Sequence, residues 1–348
     1  MGASSRLRAL QYRPSLEAAG IVVEVSSFFD DAYLQALYAG RREPIKTIGY
    51  YLSRMRKLIS YQKPDVIWLE KEGFPWLPFF IEKAIFPKGV PIVSDYDDAV
   101  FHRYDQHTNS IIRNLLGSKI DAVMAASDLV MAGNAYLAEH SLKAGAQRVE
   151  IIPTVVDITA YSTIPQPASD GRPRIGWIGT PTTWRAYGTP MVPMLADLAT
   201  EHSALVRVVG AGQEAPTDKH FENLPWSEKT ESDLIQGMDV GLMPLDDSPW
   251  SRGKCGYKLI QYMACGLPVV ASPVGVNSDI VEHGVNGFLA STEAEWREAL
   301  NTLLCNKELR QRMGAKGRKR VEARYSIQVY GPKVAGLLHE VVQASRSK

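Results

Sequence analysis

Residues Asp239–Ala290 read DVGLMPLDDSPWSRGKCGYKLIQYMACGLPVVASPVGVNSDIVEHGVNGFLA, and this stretch decides the fold. The apolar run Val240–Met243 predicts a buried strand, Ser251–Gly256 a glycine-rich loop, Tyr257–Ala264 a helix, and Val269–Ala271 a second strand followed by a turn. Strand, loop, helix and strand in that order make the βα unit of a parallel sheet. The loop is also an anion site in waiting, because the helix it opens presents unpaired N–H groups and the positive end of its peptide dipoles. Lys254 and Lys258 add positive charge at its mouth.

Working outward, the same rhythm of short apolar runs and longer amphipathic stretches fills the chain. Ile21–Val25, Val66–Leu69, Ile92–Ser94, Leu129–Ala132 and Glu150–Ile152 predict strands in the first half; Arg174–Ile178 and Leu205–Val209 join the two already named in the second. Each half reads as a doubly wound α/β domain. Between them Ile164–Arg172, IPQPASDGR, has turn-forming residues and no periodicity, so it predicts a linker. The expected organisation is an N-terminal domain over 1–163, the linker over 164–172, a second domain that carries the loop-to-helix anion site over 173–325, and a C-terminal helix over 326–348 returning to the first domain. At 348 residues, two cores rather than one are expected.

Composition removes several classes of function. With 39 basic and 38 acidic residues the net charge is +1, which argues against nucleic-acid binding through the whole surface. None of the seven histidines is spaced for metal ligation with another His, Cys or carboxylate, so no metal is expected. Cys255, Cys265 and Cys305 match no disulfide or metal spacing and read as buried small hydrophobes in a reducing compartment. No apolar run reaches the roughly 18 residues a membrane helix needs, and a cytoplasmic location is expected.

The motif stretch resembles the family 4, or group 1, retaining glycosyltransferases. IQYMACGLPVVAS (Ile260–Ser272) is similar to that family's helix-to-strand segment, and VGVNSDIVEHGVNGFLA (Val274–Ala290) to the segment closing its donor pocket. VEIIPTVVD (Val149–Asp157), RIGWIG (Arg174–Gly179), SRLRALQYRPSLEAAG (Ser5–Gly20) and IVSDYDDAVF (Ile92–Phe101) extend the resemblance across both halves. The chain opens near the end of the family's first strand, which predicts an upstream strand missing from a late start.

The resemblance implies the GT-B fold, two Rossmann-like domains facing a cleft. It also implies transfer of a hexose-type sugar from a nucleoside diphosphate sugar to a glycan or lipid-linked glycan, with no cofactor. On the donor side it points to Gly179, Thr180, Arg185, Gly256, Tyr257, Gln261, Gly275 and Asn277, with Lys254 and Lys258 stabilising the leaving diphosphate. On the acceptor side it points to Ser5, Arg6, Asp95 and Asp98, with Asp97 as the first candidate for a catalytic carboxylate. The family's two glutamates, eight positions apart, are replaced by Gly253 and Gln261, and its Arg/Lys pair after the first donor-domain strand is reduced to Arg185 in GTPTTWRAY.

Alternatives stay open. Asp95, Asp97 and Asp98 can instead cap the following helix, and Gly284 with Asn286-Gly287 reads as turn chemistry. A GT-B sugar nucleotide epimerase and a non-catalytic nucleotide- or glycan-binding homologue are the rival functions. Between Arg41 and Lys63 seven basic residues face one acidic residue, Glu43. Ile48, Leu52, Met55 and Ile59 repeat at helical spacing there, so the helix either buries its apolar stripe in the core or lies on anionic lipid as a peripheral contact.

Overall fold

The computed structural model describes residues 3–30, 32, 33, 36, 44–60, 63–163 and 170–347. Its chain divides into two compact units: Met1–Thr154 with Tyr330–Lys348, and Val155–Val329. Most of the expected linker, residues 164–169, lies outside the described residues, as do Arg41 and Arg42 of the basic segment.

The first unit holds a parallel sheet of β1 (Ile67–Glu70), β2 (Ile92–Tyr96), β3 (Leu129–Ala132) and β4 (Val149–Ile151) in sequential order. β3 is buried along its whole length, which is why it reads as an unbroken apolar run. The expected strand at Ile21–Val25 does not form: the segment is irregular and Val22 is 95% exposed. An apolar run becomes a strand only where a neighbour supplies its ladder, and no described strand pairs with it. The last helix, Ile327–Arg346, contributes Tyr330 onward to this unit, with Gly331 close against Ser15 and Arg346 paired to Asp65.

The second unit is a six-stranded parallel sheet of β5 (Arg174–Ile178), β6 (Leu205–Val209), β7 (Phe221–Leu224), β8 (Val240–Met243), β9 (Val269–Ala271) and β10 (Gly287–Leu289). The strand order is β10-β9-β8-β5-β6-β7. Both faces are covered: Ile175, Trp177, Val206 and Val208 pack against Leu195, Leu198, Leu300 and Leu303, while Ile178, Val209 and Met243 pack among Leu259, Ile260, Tyr262 and Val321. Short β7 and β10 are strands that the apolar-run reading misses, because FENL and GFL carry too few apolar residues to signal one.

This order reverses between β5 and β8, and that reversal positions the site. β5 pairs with β8 only at Ile175–Val240 and Gly176–Gly241, after which the two strands part. The hydroxyl of Tyr262 fills the gap, accepting from the Ile178 N–H at 3.0 Å and donating to the Leu242 carbonyl at 3.3 Å. A side chain thus satisfies backbone groups that the ladder abandons, and a crevice opens at the carboxyl ends of β5 and β8.

Two expectations about individual residues change. Cys255 and Cys265 are buried, but Cys305 is exposed at the end of the helix Glu293–Cys305. The helix Pro44–Ser60 turns Ile45, Ile48, Leu52 and Ile59 outward, 85%, 62%, 56% and 68% exposed, so its apolar stripe is not in the core. Its inner side packs Leu58 against Leu69, Phe86 and Val123 and Tyr51 against Phe28 and Phe74, and Arg54 donates to the carbonyls of Gly73 and Ser26.

Candidate functional site

Gly179 follows β5 directly, at the mouth of the crevice. A Cβ built on it would lie 2.6 Å from the Trp177 ring, 2.7 Å from Lys258 Nζ and 2.8 Å from Thr183 Oγ1, so only glycine allows these groups to converge. Thr180 and Thr183 close a reciprocal capping box at the next turn. Lys258 rises from the second position of the helix Tyr257–Ala264 and rests its ammonium 4.0 Å from the centre of the Trp177 ring. No carboxylate pairs with it among the described residues. Burial, and then the nearby charge of Lys254, push its pKa down from 10.5 to about 7. A half-buried cation on a ring, without a counter-ion, at a helix N-terminus is a place for an anion.

Lys254 approaches the same place from the preceding loop, lying 6.0 Å from the Tyr187 ring and 5.9 Å from that of Trp250. Tyr187 is tied to this loop by a 3.0 Å hydrogen bond with Ser251. The helix start itself requires Gly256, whose φ is +65° and whose added Cβ would strike Ile280 at 2.3 Å. Gly275 (φ +53°) lets the next loop touch the Arg252 carbonyl, where a Cβ would stand at 2.7 Å. Asn277 is 1% exposed and donates to the Ser272 carbonyl at 3.0 Å, yet its Oδ1 has no partner, a buried acceptor left open beside Gly256.

Three sequence-derived donor residues have partners of their own within the unit. Arg185 points outward, 67% exposed, in an ion pair with Glu214 whose Nε–Oε2 distance is 3.1 Å, and so is not aimed at Lys258. Gln261 is buried and donates to the Tyr161 hydroxyl at 3.1 Å. The Tyr257 hydroxyl stands 3.5 Å from that of Tyr161. One residue was missed. A Cβ on Gly210 would lie 2.3 Å from the Gly179 carbonyl oxygen and 3.0 Å from Trp226 Cβ, which sets the 44% exposed indole of Trp226 next to the Gly179 turn. Trp226 follows Pro225 at the end of β7, a strand too poor in apolar residues to announce itself, so the sequence carried no clear signal for it.

In the first unit the carboxyl ends of β1 and β2 gather a charged cluster. Lys71 Nζ lies 3.0 Å from Asp97 Oδ1, 2.8 Å from Ser4 Oγ and 3.9 Å from Glu70 Oε1, while Ser5 donates to Glu70 at 2.5 Å. Burial raises the Asp97 pKa, but Lys71, the Ser4 hydroxyl and Arg8 together outweigh it and the net shift is downward; burial likewise lowers that of Lys71, and Asp97, Glu70 and Asp98 together outweigh it upward. Asp97 is therefore a firmly ionised acceptor, which makes it a weak base and a good holder of a hydroxyl. Glu70 and Lys71 went unread in the sequence because only folding sets them beside Asp97.

Asp95 is not an open acceptor-side group. It is 1% exposed and locked in a two-pronged pair with Arg8, at 2.7 and 3.2 Å, while Arg8 also donates to the Ile152 carbonyl. Burial pushes its pKa up to about 6 against the pull of Arg8. Asp98 is half-buried and lies within electrostatic reach of Lys71, and Arg6 is half-buried on the helix Ala3–Arg8. None of the three aspartates caps the next helix, whose first flanking residue is Phe101. Among the described residues no cluster of three metal-ligating side chains is present.

The fold and site define a class first. The structure superposes on GT-B glycosyltransferases: a sucrose-phosphate synthase from Thermosynechococcus elongatus (TM-score 0.70, 15% identity, 99% of this chain and 94% of the other) and Anabaena HepE in complex with UDP-glucose (0.67, 18%, 90% of each). Residues 172–306 match the family model of glycosyl transferases group 1. Spore coat protein SA of Bacillus subtilis strain 168 is 33% identical over 69 residues, which span 19% of this chain and 18% of that protein.

Proposed function

We propose that the chain transfers a sugar from a nucleoside diphosphate sugar to a hydroxyl of a glycan or lipid-linked glycan, with retention and without a metal or resident cofactor. The observation that carries this reading is the counter-ion-free Lys258 ammonium held on Trp177, at Gly179 and a helix N-terminus, in the crevice of the second sheet. As the glycosidic bond breaks, charge builds on the departing diphosphate, and preformed positive charge at that place lowers the barrier. Lys254 adds to the field, and Trp226 offers its ring to the nucleobase. HepE with bound UDP-glucose makes a uridine nucleotide the first donor to try. In the first unit, Asp97 held ionised by Lys71 accepts from a hydroxyl of the acceptor.

The outward stripe of the helix Pro44–Ser60 supports a peripheral contact with anionic lipid, since Arg56 and Lys46 flank it on the exposed side. Among the described residues no helix is long and apolar enough to cross a membrane. One observation favours a non-catalytic binder: Gly253 offers no side chain where relatives carry a glutamate, and Gln261 is engaged with Tyr161.

A thermal-shift panel of UDP, GDP, ADP and CMP and their sugars, on wild type, Lys258→Ala and Lys254→Ala, tests the donor site. The expected result is a rise with one nucleotide family, lost in Lys258→Ala and reduced in Lys254→Ala. A rise without turnover over many glycan acceptors favours the binder, and no rise with any nucleotide rejects both readings.

A further inference from the structure

The loop that leaves β1 is built more firmly than the donor site requires. Lys71 and Trp76 both have φ of +64°, a left-handed backbone that a bulky residue adopts only when its surroundings enforce it. The enforcement is visible residue by residue. Lys119, its side chain wholly shielded from solvent, places Nζ 2.5 Å from Glu72 Oε2, 2.5 Å from the Phe74 carbonyl and 3.4 Å from Glu82 Oε2. Glu82 Oε1 accepts from the Gly73 N–H at 2.5 Å. The Tyr104 hydroxyl donates to Glu72 at 2.9 Å and accepts from the Trp76 N–H at 3.1 Å. Buried ion pairs and orphan backbone groups of this kind stabilise little by themselves but fix one geometry.

What this scaffold holds outward is an indole. Phe74 is fully buried, whereas Trp76, two residues on, is 46% exposed. The rings of Tyr104 and His107 meet it edge-on, at 5.2 and 5.9 Å, and brace its plane. Arg103 approaches Glu72 at 4.0 Å beside the Tyr104 hydroxyl, so charged and polar groups surround the ring's base. Lys71, the partner of Asp97, begins the same loop.

We propose that Trp76 is a stacking platform for a pyranose ring of the acceptor, a reading that rests on the glycosyltransferase function above and assigns its acceptor-side sugar contact. A pyranose has one face of C–H groups and a rim of hydroxyls. It therefore matches an aromatic face set among hydrogen-bonding groups, a combination that a purely apolar partner does not need. A ring already fixed in place loses little freedom on binding, which gives the backbone strain a use.

Saturation-transfer NMR on the full chain with saturating UDP tests this. The probes are the methyl glycosides of glucose, galactose, mannose and N-acetylglucosamine, with maltose, cellobiose and lactose. The expected result is transfer to the ring protons of at least one saccharide, falling roughly tenfold in Trp76→Ala and in Trp76→Gly and largely retained in Trp76→Phe. Trp76→Gly guards against misfolding, because glycine relieves the left-handed strain; its melting temperature should equal or exceed that of wild type while the saccharide signal is lost. Equal transfer in wild type and Trp76→Gly, or no transfer from any probe, overturns the proposal. The UDP thermal shift on the same samples separates the two readings: a shift with no saccharide signal rejects the Trp76 platform alone, and no shift rejects the donor function.

Discussion

Lys258 shows how much of a site can rest on one residue's surroundings. In the sequence it is a lysine in an amphipathic helix; in the structure it is a desolvated cation whose pKa has dropped to about 7. The unfolded chain holds its proton up to about 10.5, so between about 7 and 10.5 the unfolded state binds more protons and Lys258 makes stability rise with pH. A diphosphate reverses the preference by stabilising the charged form. Nucleotide binding above pH 7 is therefore expected to take up a proton, and affinity to fall by up to about tenfold per pH unit. Calorimetry in two buffers of different ionisation heat reads the uptake, and Lys258→Met should abolish both the uptake and the pH slope. At Gly256, where φ is +65° and Ile280 leaves no room, Gly256→Ala should cost about 2 kcal/mol or more in denaturant unfolding and weaken nucleotide binding as the helix start shifts.

At the scale of elements, the parting of β5 from β8 is the feature on which the crevice depends. Tyr262 bridges the two strands with one hydroxyl, so Tyr262→Phe leaves the buried Ile178 N–H without its acceptor. We expect a loss of about 1–3 kcal/mol in stability, with a nucleotide thermal shift smaller than that of wild type; an unchanged shift would mean that the crevice does not need the bridge. Buried strands such as Arg174–Ile178 and Leu205–Val209 were readable to the residue because both faces of a parallel sheet demand apolar side chains. Ile21–Val25 has the same composition and is no strand, since composition cannot supply a pairing partner. The helix Pro44–Ser60 was legible as a helix but not in its facing, because an apolar stripe fits a core and a lipid surface alike.

For the whole molecule, a net charge of +1 means that attraction to an anionic membrane must be local. Vesicles of phosphatidylglycerol and phosphatidylcholine should sediment the wild-type chain at low salt and release it at high salt, whereas neutral vesicles should not bind it. Ile48→Ser with Leu52→Ser should abolish the binding and leave the UDP thermal shift untouched; undiminished sedimentation of that variant would remove the lipid contact. The sequence by itself determined the fold class and the elements of the second sheet with the loop-to-helix turn between them, because periodicity, glycines demanded by backbone geometry and a helix start are local properties that neighbouring residues encode. Only tertiary structure decided that Lys258 rests on Trp177 with no carboxylate beside it among the described residues, that Arg185 is spent on Glu214, that Asp95 is locked to Arg8 and that Lys71 pairs with Asp97. Those outcomes depend on burial and on charges brought together from 26 to 87 positions away along the chain, and desolvation and Coulomb attraction act through space, where sequence order does not reach.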